Sequence, residues 1–270
     1  MSVRCVKKRL DLRLVDEGLS DSVRAAGALI MAGEVLIDGQ PASSAGQPVK
    51  DAAVVRLKSG SGGWVSRGAH KLLTAIERFH LKLDGRVCLD VGASTGGFTQ
   101  VMLKHGAAKV YAVDVGYGLL DWSLRTDPRV VVMERRNARS LTGEMFSPPP
   151  DFACSDASFI SLRLLLNPLA ASTSADAEAV VLVKPQFEVR REEVGEGGVV
   201  RSADVHCGVL EDLSAFIGGE TPWGLAGAAW SAIKGPKGNI EFLFHLKKNV
   251  ASVAVDFHEL VRMSHEALAE

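Results

Sequence analysis

The sequence predicts an α/β protein: a seven-stranded, mostly parallel sheet covered by helices on both faces, its last strand antiparallel, behind a small N-terminal α+β unit. Three observations carry this. Short apolar runs alternate with amphipathic segments, the mark of strands buried on both faces. One run passes directly into glycines and then into a helix. Near the end, two apolar runs are joined only by Lys234-Gly235-Pro236-Lys237-Gly238-Asn239, too short for a parallel crossover, so the final strand must reverse.

With 270 residues, 47% of them hydrophobic, the chain can bury a full core. Its net charge of −1 announces no global attraction to polyanions, yet residues 1–60 carry +2 and the remainder −3. The cysteines at 5, 88, 154 and 207 form no C-x-x-C pair and have no histidine at metal spacing; Cys88 and Cys154 read as core, in keeping with a reducing cytoplasm and no metal. No run approaches the length of a membrane span, and the N-terminus lacks an apolar export region, so a cytoplasmic location is expected.

Residues 1–58 form the first unit. Leu10, Leu12, Leu14 and Val15, then Val23, Ala26, Leu29 and Ile30, fit two short amphipathic helices, the second capped by Ser20 or Asp21 and closed by Gly33. Glu34–Pro41 reads as strand and turn, with later strand material at Val49 and Val54–Leu57. The order Arg9-Leu10-Asp11, Gly18-Leu19, Arg24-Ala25, Leu29-Ile30, Gly33, Val35, Ile37-Asp38-Gly39 resembles the alpha-L RNA-binding domain first described in ribosomal protein S-four. That resemblance implies docking on structured RNA, with Lys7, Lys8, Arg9, Arg13 and Arg24 as phosphate contacts that position rather than specify. Arg67, just past the linker, is grouped with them.

Residues 59–63 are a glycine- and serine-rich linker, and the second domain spans 64–270. Its first helix carries Leu72, Leu73, Ile76 and Phe79 on one face. Lys71 sits in the first turn, where a cation opposes the helix dipole. Strands follow at 87–91, 109–113, 129–133, 152–155, 179–183, 225–233 and 240–246, and the closing helix presents Val253, Phe257, Leu260, Val261 and Leu268, with Ser264 between them. The glycine-rich charged loop 190–201 reads equally as a lid or a surface loop.

The stretch Val87–Thr99 is a nucleotide-cofactor turn: an apolar run ending at Asp90, Gly92, then Ser94, Thr95, Gly96, Gly97 and Phe98 at the helix start. It lacks the second glycine of a dinucleotide fingerprint and the Gly-Lys-Ser/Thr of a phosphate loop. A second strand ends at Asp114, near the spacing at which an acid holds a ribose hydroxyl pair. Ribose without phosphate is left, the pattern by which S-adenosylmethionine methyltransferases hold their cofactor. Asn137, after the third strand, offers an amide for an adenine edge.

In an open α/β sheet, ligands sit outside the carboxyl ends of the parallel strands. Asp114, Asp156 and Lys184 fall at such ends, and Glu241, opening the reversed strand, falls at the same edge. Lys71, Asp156, Lys184 and Glu241 together resemble the K-D-K-E tetrad of FtsJ-class ribose 2′-O-methyltransferases, and Asp156 also adjoins the cofactor site. In that resemblance Lys184 is the base or the oxyanion partner, Lys71 its cationic neighbour, and the carboxylates orient the pair. Strand four ends Ser155-Asp156-Ala157-Ser158-Phe159, without the Asn/Asp-Pro-Pro of base-nitrogen methyltransferases, which favours a ribose oxygen.

Over almost the whole chain, from the alpha-L unit through Trp64–Leu72, Asp90–Thr99, Asp114–Gly118 and Lys184–Glu188, the sequence resembles the TlyA family. This implies a cytidine 2′-O-methyltransferase acting on ribosomal RNA of one or both subunits, in a family also named as haemolysins. The competing expectations are a cytolysin acting on membranes and a non-catalytic RNA-binding protein.

Overall fold

The computed structural model describes residues 7–17, 19–20, 22–51, 53–57 and 63–269. The expected linker, apart from Gly63, lies outside them. In order the elements are β1 (Lys7–Arg9), α1 (Leu10–Asp16), α2 (Val23–Met31), β2 (Val35–Ile37), β3 (Gln40–Pro41), β4 (Pro48–Lys50), β5 (Val55–Leu57), α3 (Ala69–Phe79), β6 (Val87–Val91), α4 (Gly97–Lys104), β7 (Lys109–Asp114), α5 (Trp122–Arg125), β8 (Val130–Glu134), β9 (Phe152–Ser155), α6 (Leu166–Ala171), β10 (Glu178–Val183), α7 (Ala203–Glu220), β11 (Trp223–Trp230), β12 (Phe242–Lys248) and α8 (Phe257–Ala267).

In the first unit, Leu10, Leu14, Ala26, Ile30, Val35, Val49 and Val55 form a small separate core. The second helix is capped by Ser22 rather than Ser20: the extended Ser22 accepts the Ala25 N–H at 3.1 Å, while the Ser20 hydroxyl donates to the Ser22 carbonyl at 3.1 Å; Asp21, the other expected cap, lies outside the described residues. The basic run at the start is partly strand, since β1 pairs antiparallel with β4.

The second domain is one seven-stranded sheet in the order β11-β12-β10-β9-β6-β7-β8. The neighbours β10/β9, β9/β6, β6/β7 and β7/β8 are parallel, while β12 runs antiparallel to both β10 and β11, as the short link required. Alternation along each strand feeds two cores. Leu89, Val91, Val181, Phe242 and Phe244 face α6, α7 and α8; Cys88, Val180, Leu182 and Leu243 face α3 and α4. Each fully buried Leu or Phe adds roughly 1.5–3 kcal/mol.

The last two strands start at Trp223 and Phe242 rather than at 225 and 240, and two further boundaries differ from the sequence expectation for a visible reason. β11 stops at Trp230, because the Ser231 hydroxyl folds the chain onto the Ile233 carbonyl at 2.7 Å. Val253 is not on the last helix. Asp256 caps α8 by accepting the Glu259 N–H at 2.9 Å, and Val253 instead donates its N–H to Leu225 at 2.8 Å, its side chain exposed.

Candidate active site

The strand order reverses between β6 and β9, and there the sheet opens into a cleft of about 740 Å³. One half is built from backbone. Gly92, with φ +83°, lets the chain leave β6 directly beneath Ala157; a Cβ there would stand 3.1 Å from the Ala157 N and Cα atoms. Ser94 then donates its N–H to Asp114 Oδ2 at 2.8 Å, and Gly116 donates to Oδ1 at 2.6 Å, so both turns are fixed to one carboxylate on the cleft wall. Thr95, Gly97 and Phe98 also line the cleft, while Gly96 caps α4 behind it in a left-handed conformation. Asn137 lines the wall too; its Oδ1 accepts the Arg139 N–H at 3.0 Å, which orients the amide with its NH2 group to offer.

Asp90 departs from its expected cofactor role. It does not line the cleft; its carboxylate is fully buried, accepting the Thr99 hydroxyl at 2.6 Å and pinning α4 to β6. Burial pushes this carboxyl up to about 7, against the lowering effect of the Thr99 bond. The remaining residues fit an adenosyl cofactor. A glycine cradle that a Cβ would fill, a wall carboxylate with lone pairs to spare and no phosphate-binding loop match a ligand with a ribose and no phosphate.

The other half is built from side chains. Register pairs Val183 with Phe242 and so sets Lys184 across from Glu241. Lys71, from the first turn of α3, lies 2.7 Å from Glu241 Oε2 and 3.1 Å from Asp156 Oδ2. Lys184 lies 2.6 Å from Asp156 Oδ1 and donates to the Asp156 carbonyl at 3.2 Å and the Ser158 hydroxyl at 2.9 Å. All four predicted groups therefore form one chain, Glu241–Lys71–Asp156–Lys184. Glu241 is at its closed end, 1% exposed, and the other three line the cleft. Burial alone would depress Lys71, but Asp156 and Glu241 outweigh it and hold the ammonium above its ordinary value. Burial likewise pushes Asp156 up, and Lys184 and Lys71 outweigh that, holding the carboxyl below the usual range. The first-turn position of Lys71, unfavourable to the helix dipole, is offset by these two carboxylates.

The FtsJ-like methyltransferase family matches residues 64–248, and the S4 domain matches residues 8–55. A 16S/23S rRNA (cytidine-2′-O)-methyltransferase, TlyA, of Mycobacterium tuberculosis is 45% identical over 98% of this chain and 98% of its own length. The chain belongs to the TlyA family of FtsJ-like methyltransferases. Hemolysin A of Brachyspira hyodysenteriae is 38% identical over 88% of this chain and 98% of that protein. A solved chain from Streptococcus thermophilus, provisionally named a hemolysin, superposes with a TM-score of 0.76 at 40% identity, covering 97% of each chain.

For a TlyA-family protein the basic residues of the S4 domain matter next, and they divide. Lys7 is exposed on β1, whereas Lys8 is paired with Asp16 and Arg9 with Asp11. Arg13 is not available as an RNA contact: its guanidinium bonds the carbonyls of Lys50 and Ala53 and the Glu17 carboxylate, with 11% of the side chain exposed, so it holds the domain together. Arg24 stacks 4.4 Å from the Tyr117 ring centroid, whose other neighbour is Arg135 at 4.2 Å. Arg67 lines the cleft and donates its N–H to Glu34 at 3.1 Å.

Sequence reasoning missed several cleft residues. Ser158 and Phe159 were visible as the tail of the strand-four motif, within three residues of Asp156. Phe159 is 87% exposed, holds φ +63° and sits 5.2 Å from Phe187, centroid to centroid. Arg136, Arg139 and Met31 also line the cleft. The loop 190–201 is tethered at its far end, where Asn239 bonds Gly198 and Val200, each at 2.9 Å.

Proposed function

We propose that this chain transfers a methyl group from S-adenosylmethionine to a ribose 2′-oxygen of ribosomal RNA, at a cytidine, as the name of its Mycobacterium tuberculosis relative states for that protein. The observation that supports this most is the Glu241–Lys71–Asp156–Lys184 chain of ion pairs ending beside the glycine turn. Gly92–Phe98, Asp114 and Asn137 would hold the cofactor: the turn against its amino-acid tail, Asp114 on its ribose, and the Asn137 amide at its adenine. When bound, the cofactor supplies a methyl group on a sulfonium, already activated for displacement.

The chain's own residues do the rest. A ribose hydroxyl is a weak nucleophile, so its oxygen must be aligned and its developing charge stabilised. Lys184 takes that part as the ammonium, since the neutral amine would forfeit its 2.6 Å ion pair to Asp156. Lys71 and Glu241 fix the Asp156 carboxylate, and Asp156 fixes Lys184. The hydroxyl proton passes to the Asp156 carboxylate as the carbon–oxygen bond forms, so that Lys184 faces an oxygen gaining negative charge, and Asp156 then gives the proton to solvent. Phe159, aromatic, exposed and on the cleft wall, offers a stacking face to the target base, for which such contacts contribute ~1–3 kcal/mol. The S4 domain grips the surrounding RNA through phosphates.

Among the described residues, no helix is long and apolar enough to cross a membrane, and the hemolysin names belong to relatives that match this chain over nearly their whole length. A purely RNA-binding role leaves the four-residue ion chain without a task. The test is transfer of labelled methyl to separated, undermethylated ribosomal subunits by the native chain and by Lys184→Ala. Label mapped to a ribose oxygen and lost in the variant is the expected result. No transfer to either subunit by cofactor-bound native protein overturns the ribosomal assignment.

A further inference from the structure

The cleft has one wall that the methyltransferase domain does not supply. Met31, Ala32 and Glu34, the end of α2 and the approach to β2, line it from the S4 side. Two contacts key this segment in place, and a third braces the residues it meets. Gly33 holds φ +72°, and a Cβ there would meet Pro236 Cβ at 2.8 Å. The Arg67 N–H donates to Glu34 at 3.1 Å, and the Arg67 guanidinium donates to the Lys234 carbonyl. The end of α2, the start of α3 and the 234–236 loop therefore meet at the cleft mouth as one fitted joint.

Within that wall Met31 stands out. Ala28 and Ile30 on the same helix are buried, yet Met31 is 68% exposed, a long apolar side chain left in the open beside a polar site. Its position at a helix C-terminus, where unpaired carbonyls carry partial negative charge, disfavours a phosphate. A thioether is polarisable and packs well on an aromatic face.

We propose that Met31 packs against a nucleobase of the RNA at the target ribose, so that the S4 domain completes the substrate pocket as well as gripping RNA at a distance. This rests on reading the cleft as an RNA 2′-O-methylation site. It makes correct placement of the ribose depend on both domains being seated together.

The experiment uses the full chain with Met31→Ala, Met31→Leu and Met31→Glu, measuring kcat and KM on undermethylated ribosomal subunits and, separately, affinity for S-adenosylmethionine alone. Met31→Ala lowers kcat/KM by about tenfold, Met31→Leu restores most of it, and Met31→Glu loses more than Met31→Ala, all with cofactor affinity within about twofold of native. Three variants that methylate like the native chain overturn the assignment, as does a loss of cofactor affinity that parallels the loss of activity, which would make Met31 a structural residue. If the native chain itself transfers no methyl to either subunit, the reading of the cleft fails and the assignment falls with it; a native chain that works beside unaffected variants sinks the Met31 role alone.

Discussion

The two halves of the cleft are made of different material. The turn from Gly92 to Phe98 is shaped by backbone and tied to a single wall carboxylate, Asp114. The Glu241–Lys71–Asp156–Lys184 half is made of charged side chains from four separate elements that reach one another only because the sheet is in register. The first half is sensitive above all to added atoms, with one carboxylate as its only charged tie. The second is sensitive to removed charge, because removing Lys71 or Asp156 strands the end group next to it, Glu241 or Lys184, in a buried place.

The sharpest way to break this contrast is Lys71→Ala. It leaves Glu241 and Asp156 without their shared cation, so unfolding stability in denaturant falls by roughly 3–5 kcal/mol, the cost of breaking a buried pair. A loss under about 1 kcal/mol would mean that water reaches the pair and the contrast is overstated. Next, Lys184→Ala lowers methyl transfer by about 10²–10³-fold, as loss of one oxyanion donor does, while calorimetry finds cofactor binding intact.

A third test uses pH. The Asp90 carboxyl sits at about 7 in the folded chain and at its ordinary value near 3.8 when unfolded, so the folded state holds the proton more tightly. Stability is therefore lost as pH rises from about 4 to about 7 and is level above that. Asp90→Asn keeps an acceptor for Thr99 and cannot ionise. Compared with the native chain, it should gain stability with rising pH through that window, by on the order of 3 kcal/mol at pH 8, read from urea unfolding at pH 5 and pH 8. Curves that run parallel at the two pH values would place Asp90 ionised in the fold. The smallest effect is on the backbone half: Gly92→Ala should weaken cofactor binding and stability by about 1–3 kcal/mol through its left-handed conformation and the approach to Ala157. An unchanged dissociation constant would remove the turn from the cofactor site.

The same division explains what could be read from sequence. Strands buried on both faces announce themselves as apolar runs, and Asp114, Asp156 and Lys184 each stand just past one. That position was enough to place them at the cleft. Asp90 also closes an apolar run, yet points into α4, because Thr99 one turn along that helix supplies its partner. Nothing in the spacing separates the two acids. β1 was hidden because Lys-Lys-Arg has no apolar period, and Arg13 because its carbonyl partners lie some forty residues away in sequence. Met31 was out of reach for a further reason: its place on the cleft wall is set by how two domains dock, which no local pattern encodes.

Two ammonium groups and two carboxylates sum to zero, so the Glu241–Lys71–Asp156–Lys184 chain adds no net charge to the field that a polyanion meets on approach. Attraction must come from exposed cations elsewhere, such as Lys7, Arg24, Arg135, Arg136 and Arg139. The steepness with which binding weakens as salt is added reports the counterions those groups displace from the RNA. A salt titration of the native chain thus counts the grip and is blind to the chemistry.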